Sequence, residues 1–166
     1  MNPGQAFTRD QRLVATFSAN LEPLPGATVH PVTQAWWRKY PEAWKAVQTN
    51  RQPPDRVMAD YVRWLKQLPG RPVFVGYPAT YDFMFIYWYL MSFEGESPFA
   101  IYGLDAKSFA MAMLHRDFHE VSRKTMPERW FGGMRHSHLP LDDALEQGHL
   151  FLNMLRERDA RRPPRF

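Results

Sequence analysis

The segment Tyr81 to Phe93 reads YDFMFIYWYLMSF and is apolar nearly all round. A helix without a polar stripe must be covered on most sides, so the rest of the chain has to supply that cover. A membrane is not the cover: the stretch is too short to cross a bilayer, and the chain has no run of ~18 apolar residues. Just upstream, PVFVG at 72–76 is a short apolar run between turn signals, the pattern of a strand covered on both faces in a parallel sheet. Strand, turn (Tyr77 to Thr80) and buried helix together predict an α/β fold.

The chain has 166 residues, 45% of them hydrophobic and 15% aromatic, which is enough for one core and argues against disorder. We therefore expect a single domain over 1–158, with 159–166 as a basic tail. The absence of cysteine excludes disulfides, thiolate zinc sites and cysteine nucleophiles. The opening MNPGQAFTRD lacks the regions of a signal peptide, and a cytoplasmic location fits best. A formal charge of +4 is compatible with a polyanionic partner without demonstrating one. Much of it sits in RERDARRPPRF at the C-terminus, most simply a solvated end.

Gln5 to Phe7 and Leu13 to Leu21 read as a hairpin turning at Arg9-Asp10-Gln11. Helical spacing over Thr33 to Val47 is broken at Pro41. After Pro53-Pro54, Asp55 is the expected N-cap of a helix whose inward face is Val57, Met58, Tyr61, Trp64, Leu65 and Leu68. Phe99 to Tyr102 is the next expected strand, and Lys107 to His115 a further helix. Residues 116–137 read mostly as loop. Pro140 suits the first position of a last helix reaching about Arg158, its inward face Leu141, Ala144, Leu145, Gly148, Leu152 and Leu155. The order predicts an α/β sandwich built on a mixed sheet.

Two acids stand out by position. Asp82 opens the apolar helix directly after the PVFVG strand, and the carboxyl end of a strand is where open α/β sheets bind ligands. Asp143 falls in the first turn of the last helix, five residues after His138. Each alone is explained by an acid complementing a helix N-terminus.

Together, FVGYPATYDFMFIYWYL (74–90) and HSHLPLDDALEQGHLFLNML (136–155) resemble the second and third motifs of the DEDDh 3′-5′ exonucleases. This is the ribonuclease H-like group of ribonuclease T, oligoribonuclease and proofreading subunits. Thr33, Trp36 and Trp37 resemble the TxxWW segment of small bacterial exonuclease-like proteins. The resemblance runs from about Leu13 to Leu155. It implies a ribonuclease H-like mixed sheet flanked by helices, and two-metal phosphodiester hydrolysis at the 3′ ends of single-stranded RNA or DNA. Mapped here, Asp82 and Asp143 would be ligands of Mg²⁺ or Mn²⁺, His138 the general base, and Tyr77 and Tyr81 substrate contacts. A homodimer is possible by the same analogy.

The family's first motif, an Asp-x-Glu pair on the first strand, has no counterpart. Asp10 lies in the hairpin turn and Glu22 beyond it. The first central strand, which would lie between the hairpin and the Pro72 strand, is thus missing. Either the natural chain starts upstream, as the abrupt hairpin at residue 5 favours, or this is a decayed member with two of four ligands. As written, the chain is expected to have weak nuclease activity or none. The alternative is a nucleic-acid-binding or scaffold module. His115 and His119, spaced as on a zinc helix, lack the intervening Glu and a third ligand; His136-x-His138 could also be read as a metal pair. The tryptophans and tyrosines, including Tyr87 and Tyr89, fit a core better than a base-stacking surface.

Overall fold

A computed structural model describes residues 4–134 and 140–161. The chain opens with an antiparallel hairpin, β1 (Gly4–Phe7) and β2 (Leu13–Phe17), with a bulge between Ala6 and Phe7. β3 (Asn20–Leu21) pairs in parallel with β4 (Arg51–Gln52). Between them lie α1 (Pro31–Trp37) and α2 (Pro41–Gln48), separated as the proline at 41 requires. Then come α3 (Pro54–Gln67), β5 (Phe74–Gly76), α4 (Ala79–Phe93), β6 (Gly103–Asp105) and α5 (Ala106–Leu114). The segment after α5 is loop with two short 3₁₀ turns, and α6 (Pro140–Ala160) closes the chain.

The mixed helix-and-strand class is as expected. The continuous sheet is not seen: the described strands form three two-stranded pairs, β1–β2, β3–β4 and β5–β6. Buried side chains likewise form two clusters rather than one core. In the first, Val57, Met58, Tyr61 and Leu65 of α3 pack with Leu90 and Phe99. In the second, Trp130 and Phe131 pack against Leu150, Phe151 and Met154 of α6 and Ala106 and Ala110 of α5. Burial within the first cluster pushes the Tyr61 hydroxyl well above the usual tyrosine range.

Three local expectations are corrected. Pro53, not Asp55, is the N-cap of α3; with no side-chain cap there, Asp55 falls inside the first turn, where its charge complements the dipole. The segment 99–102 is a turn, with Ala100 at φ 54°. Phe99 is pinned there by edge-to-face contacts with Phe74 and Phe83, and the strand begins only at Gly103. Finally, α4 is not covered on most sides. Ala79 and Leu90 are its buried residues, while Tyr81 is 61% and Trp88 49% exposed. One side of the helix packs on α3 and β5; the other is left to solvent.

The last helix also turns its faces differently. Leu141 is exposed, and Glu146 is buried instead, paired with Arg123. Arg123 in turn lies over the Phe131 ring at 4.5 Å.

Candidate active site at the mouths of two helices

After Gly76 the chain passes through the cis Tyr77–Pro78 peptide into α4. A Cβ on Gly76 would come within 2.9 Å of Ala79 Cα, so this turn needs glycine at its start. The Ala79 N–H donates to Asp105 Oδ2 at 2.8 Å, and Asp105 Oδ1 accepts from the Ser108 N–H at 2.7 Å. Asp105, at the end of β6, thus caps α5 and also anchors the start of α4. Lys107 does not pair with it; its ammonium sits 4.0 Å above the Phe118 ring.

This arrangement fixes Asp82, half-buried in the first turn of α4. Asp142 and Asp143 occupy the first turn of α6. Asp82 and Asp143 line one cavity of about 1100 Å³, and Tyr81 lines it too. Both acids stand where a helix N-terminus favours negative charge. That does not explain why two helix starts open onto the same cleft.

Tyr77 lies outside the cavity lining. Its N–H donates to Gln147 Oε1 at 3.1 Å, and its ring packs against the α5–α6 cluster. Burial raises its hydroxyl pKa, partly offset by a backbone hydrogen bond with Arg123. His138 and His136 fall outside the described residues. His115 is the left-handed cap after α5 ends, and His119 sits in the 3₁₀ turn Phe118–Glu120, so the two do not share a helix face.

Arg9, Arg71 and Arg158 also border the cavity. Asp159 bridges two of them, 2.8 Å from Arg9 and 2.7 Å from Arg158. Arg158 and then Arg9 hold the Asp159 carboxyl below the usual range. Arg71 is exposed at the mouth. Arg158 falls in the C-terminal run that reads as a solvated end, Arg9 in the hairpin turn and Arg71 in no recognisable motif, so their meeting at one cavity has no signal in the sequence. Among the described residues no group of three or more His, Asp or Glu side chains is arranged to hold a metal.

Fold and site together define an α/β protein whose paired carboxylates, at two helix starts, face an arginine-fringed cleft. No family model matches the chain. Over 106 residues it is 29% identical to the 3′-5′ DNA exonuclease Cap18 of Escherichia coli. The match covers 59% of this chain and 54% of that protein, about half the relative's length. The similarity supports the nuclease expectation in its coarse form. No helix among the described residues is long and apolar enough to cross a membrane.

Proposed function

We propose that this chain provides part of a 3′-5′ exonuclease of the DEDDh type acting on the 3′ ends of single-stranded DNA. The observation that carries this reading is the convergence of Asp82 and Asp143 on one cavity, joined to the similarity to a 3′-5′ DNA exonuclease. DNA is preferred to RNA because that relative is a DNA exonuclease.

In this reading Arg71, exposed at the cavity, draws in the phosphate backbone. Tyr81, exposed beside Asp82, gives the terminal base a face to stack on. Tyr77 acts one layer back, holding the turn that aims Asp82. His138 takes the proton from the attacking water, a role suited to an imidazole near neutral pH. Asp82 and Asp143 supply hard oxygen donors of the kind Mg²⁺ and Mn²⁺ prefer. Two carboxylates are too few to fit a pair of such ions, and the described residues add no further ligand cluster. The alone-standing chain therefore has weak activity or none.

That shortage favours a second reading, a nucleic-acid-binding module that grips 3′ ends without cutting them. Degradation of a 3′-labelled single strand, measured beside fluorescence anisotropy of the same strand, separates the two. Slow cutting that Asp143→Asn abolishes supports the nuclease. Binding with no cutting at any protein concentration supports the module. Neither binding nor cutting would sink both.

A further inference from the structure

The surface of α4 that faces away from α3 is apolar and uncovered among the described residues. Tyr81, Met84, Trp88 and Met91 are 61%, 55%, 49% and 42% exposed, and Phe85 beside them is 46% exposed. The opposite surface is occupied: Leu90 is buried in the α3 cluster, with Phe83, Ile86 and Phe93 packed against it. A contiguous apolar patch of this kind marks a contact surface.

The four exposed residues fall at spacings of three, four and three, the a and d positions of a coiled-coil seam. Their rings are braced from within the helix. Tyr81 meets Phe85 edge-on at 5.1 Å, and Trp88 meets Tyr89 edge-on at 5.2 Å. Rings already held in place lose little freedom when a partner covers them. Beside Trp88 runs an apolar groove of about 500 Å³, walled by Met84, Trp88 and Tyr89 of α4 and by Pro23, Leu24 and Ala27. The patch thus carries both a projecting ring and a hollow, as the isologous contact of a two-fold dimer requires.

The order of the residues selects the occupant. From N to C the seam reads Tyr, Met, Trp, Met. A second copy laid antiparallel, with the two-fold axis level with Ile86, sets Met84 against the partner's Trp88 and Tyr81 against the partner's Met91. Every pair is then an aromatic ring against a flexible thioether, a favourable contact. No charged residue occurs from 83 to 93 or in the groove wall. A nucleic-acid strand needs cations beside its stacked bases, and a membrane surface favours Lys and Arg on the helix. Depletion of charge with abundant Tyr, Trp, Phe and Met is instead the composition of a protein–protein interface core. At ~150–250 Å² for a whole aromatic side chain, the five exposed side chains offer on the order of 500 Å² per copy. Two copies together reach the ~1,000 Å² of a specific interface, and the groove residues extend it.

We propose that this protein forms a two-fold dimer through α4, antiparallel across Met84 and Trp88. Tyr81 lies at the rim of that contact, so each copy borders the other's cleft with its Met91. The inference stands on the exposed seam and does not rest on nuclease activity.

The full chain is followed by sedimentation equilibrium over roughly 1–100 μM, a range that covers the weaker affinities of small interfaces. The expected result is a mass that rises with concentration to twice the monomer's. Met84→Glu places a carboxylate against the partner's Trp88, and Trp88→Lys removes the ring. Each should weaken association by about tenfold or more. Combined in one chain they set opposite charges face to face in both symmetric contacts, and association should recover by about tenfold over either single variant. Circular dichroism establishes that each variant is folded. A monomer throughout would overturn the proposal, as would a dimer indifferent to both single substitutions, or assemblies that grow beyond two copies. A double variant no tighter than the singles would overturn the antiparallel pairing. Nuclease assays play no part in this readout, so its failure leaves the exonuclease reading untouched, and the reverse.

Discussion

Gly148 of α6 lies directly beneath the ring of Phe7, so close that a Cβ at 148 would overlap it. Here glycine serves close approach: the backbone of the last helix meets a side chain of the first strand. Replacing Gly148 with Ala should lift the hairpin from α6 and cost about 1–3 kcal/mol by overpacking. Thermal unfolding of the variant measures this. An unchanged or raised Tm would mean the contact is slack. Phe7→Leu in the same background should recover part of the loss.

Glu157 ties the second cluster together. It accepts from the Trp130 indole N–H at 2.6 Å and from Arg129 through both carboxylate oxygens, at 3.0 and 2.9 Å. The Arg129 hydrogen bond, then that of Trp130, holds its pKa down at about 2 against an ordinary 4.5. A carboxyl depressed in the folded state stabilises above the unfolded pKa, and that stability is lost as pH falls from 4.5 toward 2. Denaturation at stepped pH should show wild-type stability dropping over this window by about 1–2 kcal/mol, allowing for the partly exposed arginines. Glu157→Gln should be less stable at pH 7 and flatter below 4.5. Parallel curves for the two proteins would refute the assignment.

Tyr81 and Tyr77 should separate cleanly. Tyr81→Ala removes an exposed ring beside Asp82 and should weaken single-stranded DNA binding by about 1–3 kcal/mol per stacked base, with Tm unchanged. Tyr77→Ala removes a ring packed on the α5–α6 cluster and should lower Tm instead. Affinity by anisotropy and Tm by calorimetry decide between them. If Tyr81→Ala leaves affinity intact, the base platform lies elsewhere.

Any nuclease activity should fall below detection in Asp82→Asn and Asp143→Asn, and by roughly 10²–10⁴-fold in His138→Ala. Rates on a labelled 3′ end test this, with circular dichroism to establish that each variant is folded. Equal activity in all three would leave the two carboxylates as helix-terminus complements only.

Much of the element order is legible in the residues, chiefly where backbone chemistry decides. Pro41 divides α1 from α2, Pro140 starts α6, and the Arg9-Asp10-Gln11 turn makes the hairpin. Periodicity is a poorer guide to burial, because it reports what a face would bury, not whether cover exists. The apolar surface of α4 reads as interior, yet Trp88 and Tyr81 are exposed because no element among the described residues packs over that side. Asp82 and Asp143 are legible as a pair through motif order. That they share a cavity depends on β1, β5 and α6 meeting in space, which spacing along the chain does not encode. The pairing of Glu146 with Arg123 had no signal either, since an acid in a helix normally reads as solvated.

The hairpin's anchors on α6 span nearly the whole chain: Gln5 to Leu141, Gln11 to Asn153 and Arg9 to Asp159 lie 136, 142 and 150 residues apart. A ribosome adding ~5–20 residues per second needs on the order of ten seconds or more to bridge that distance. For that interval the nascent hairpin has no docking face, and its free edge is open to other strands. Translation rate through the last third of the message is therefore a lever on yield. Slowing it should increase aggregation of the newborn chain even where the finished protein is stable.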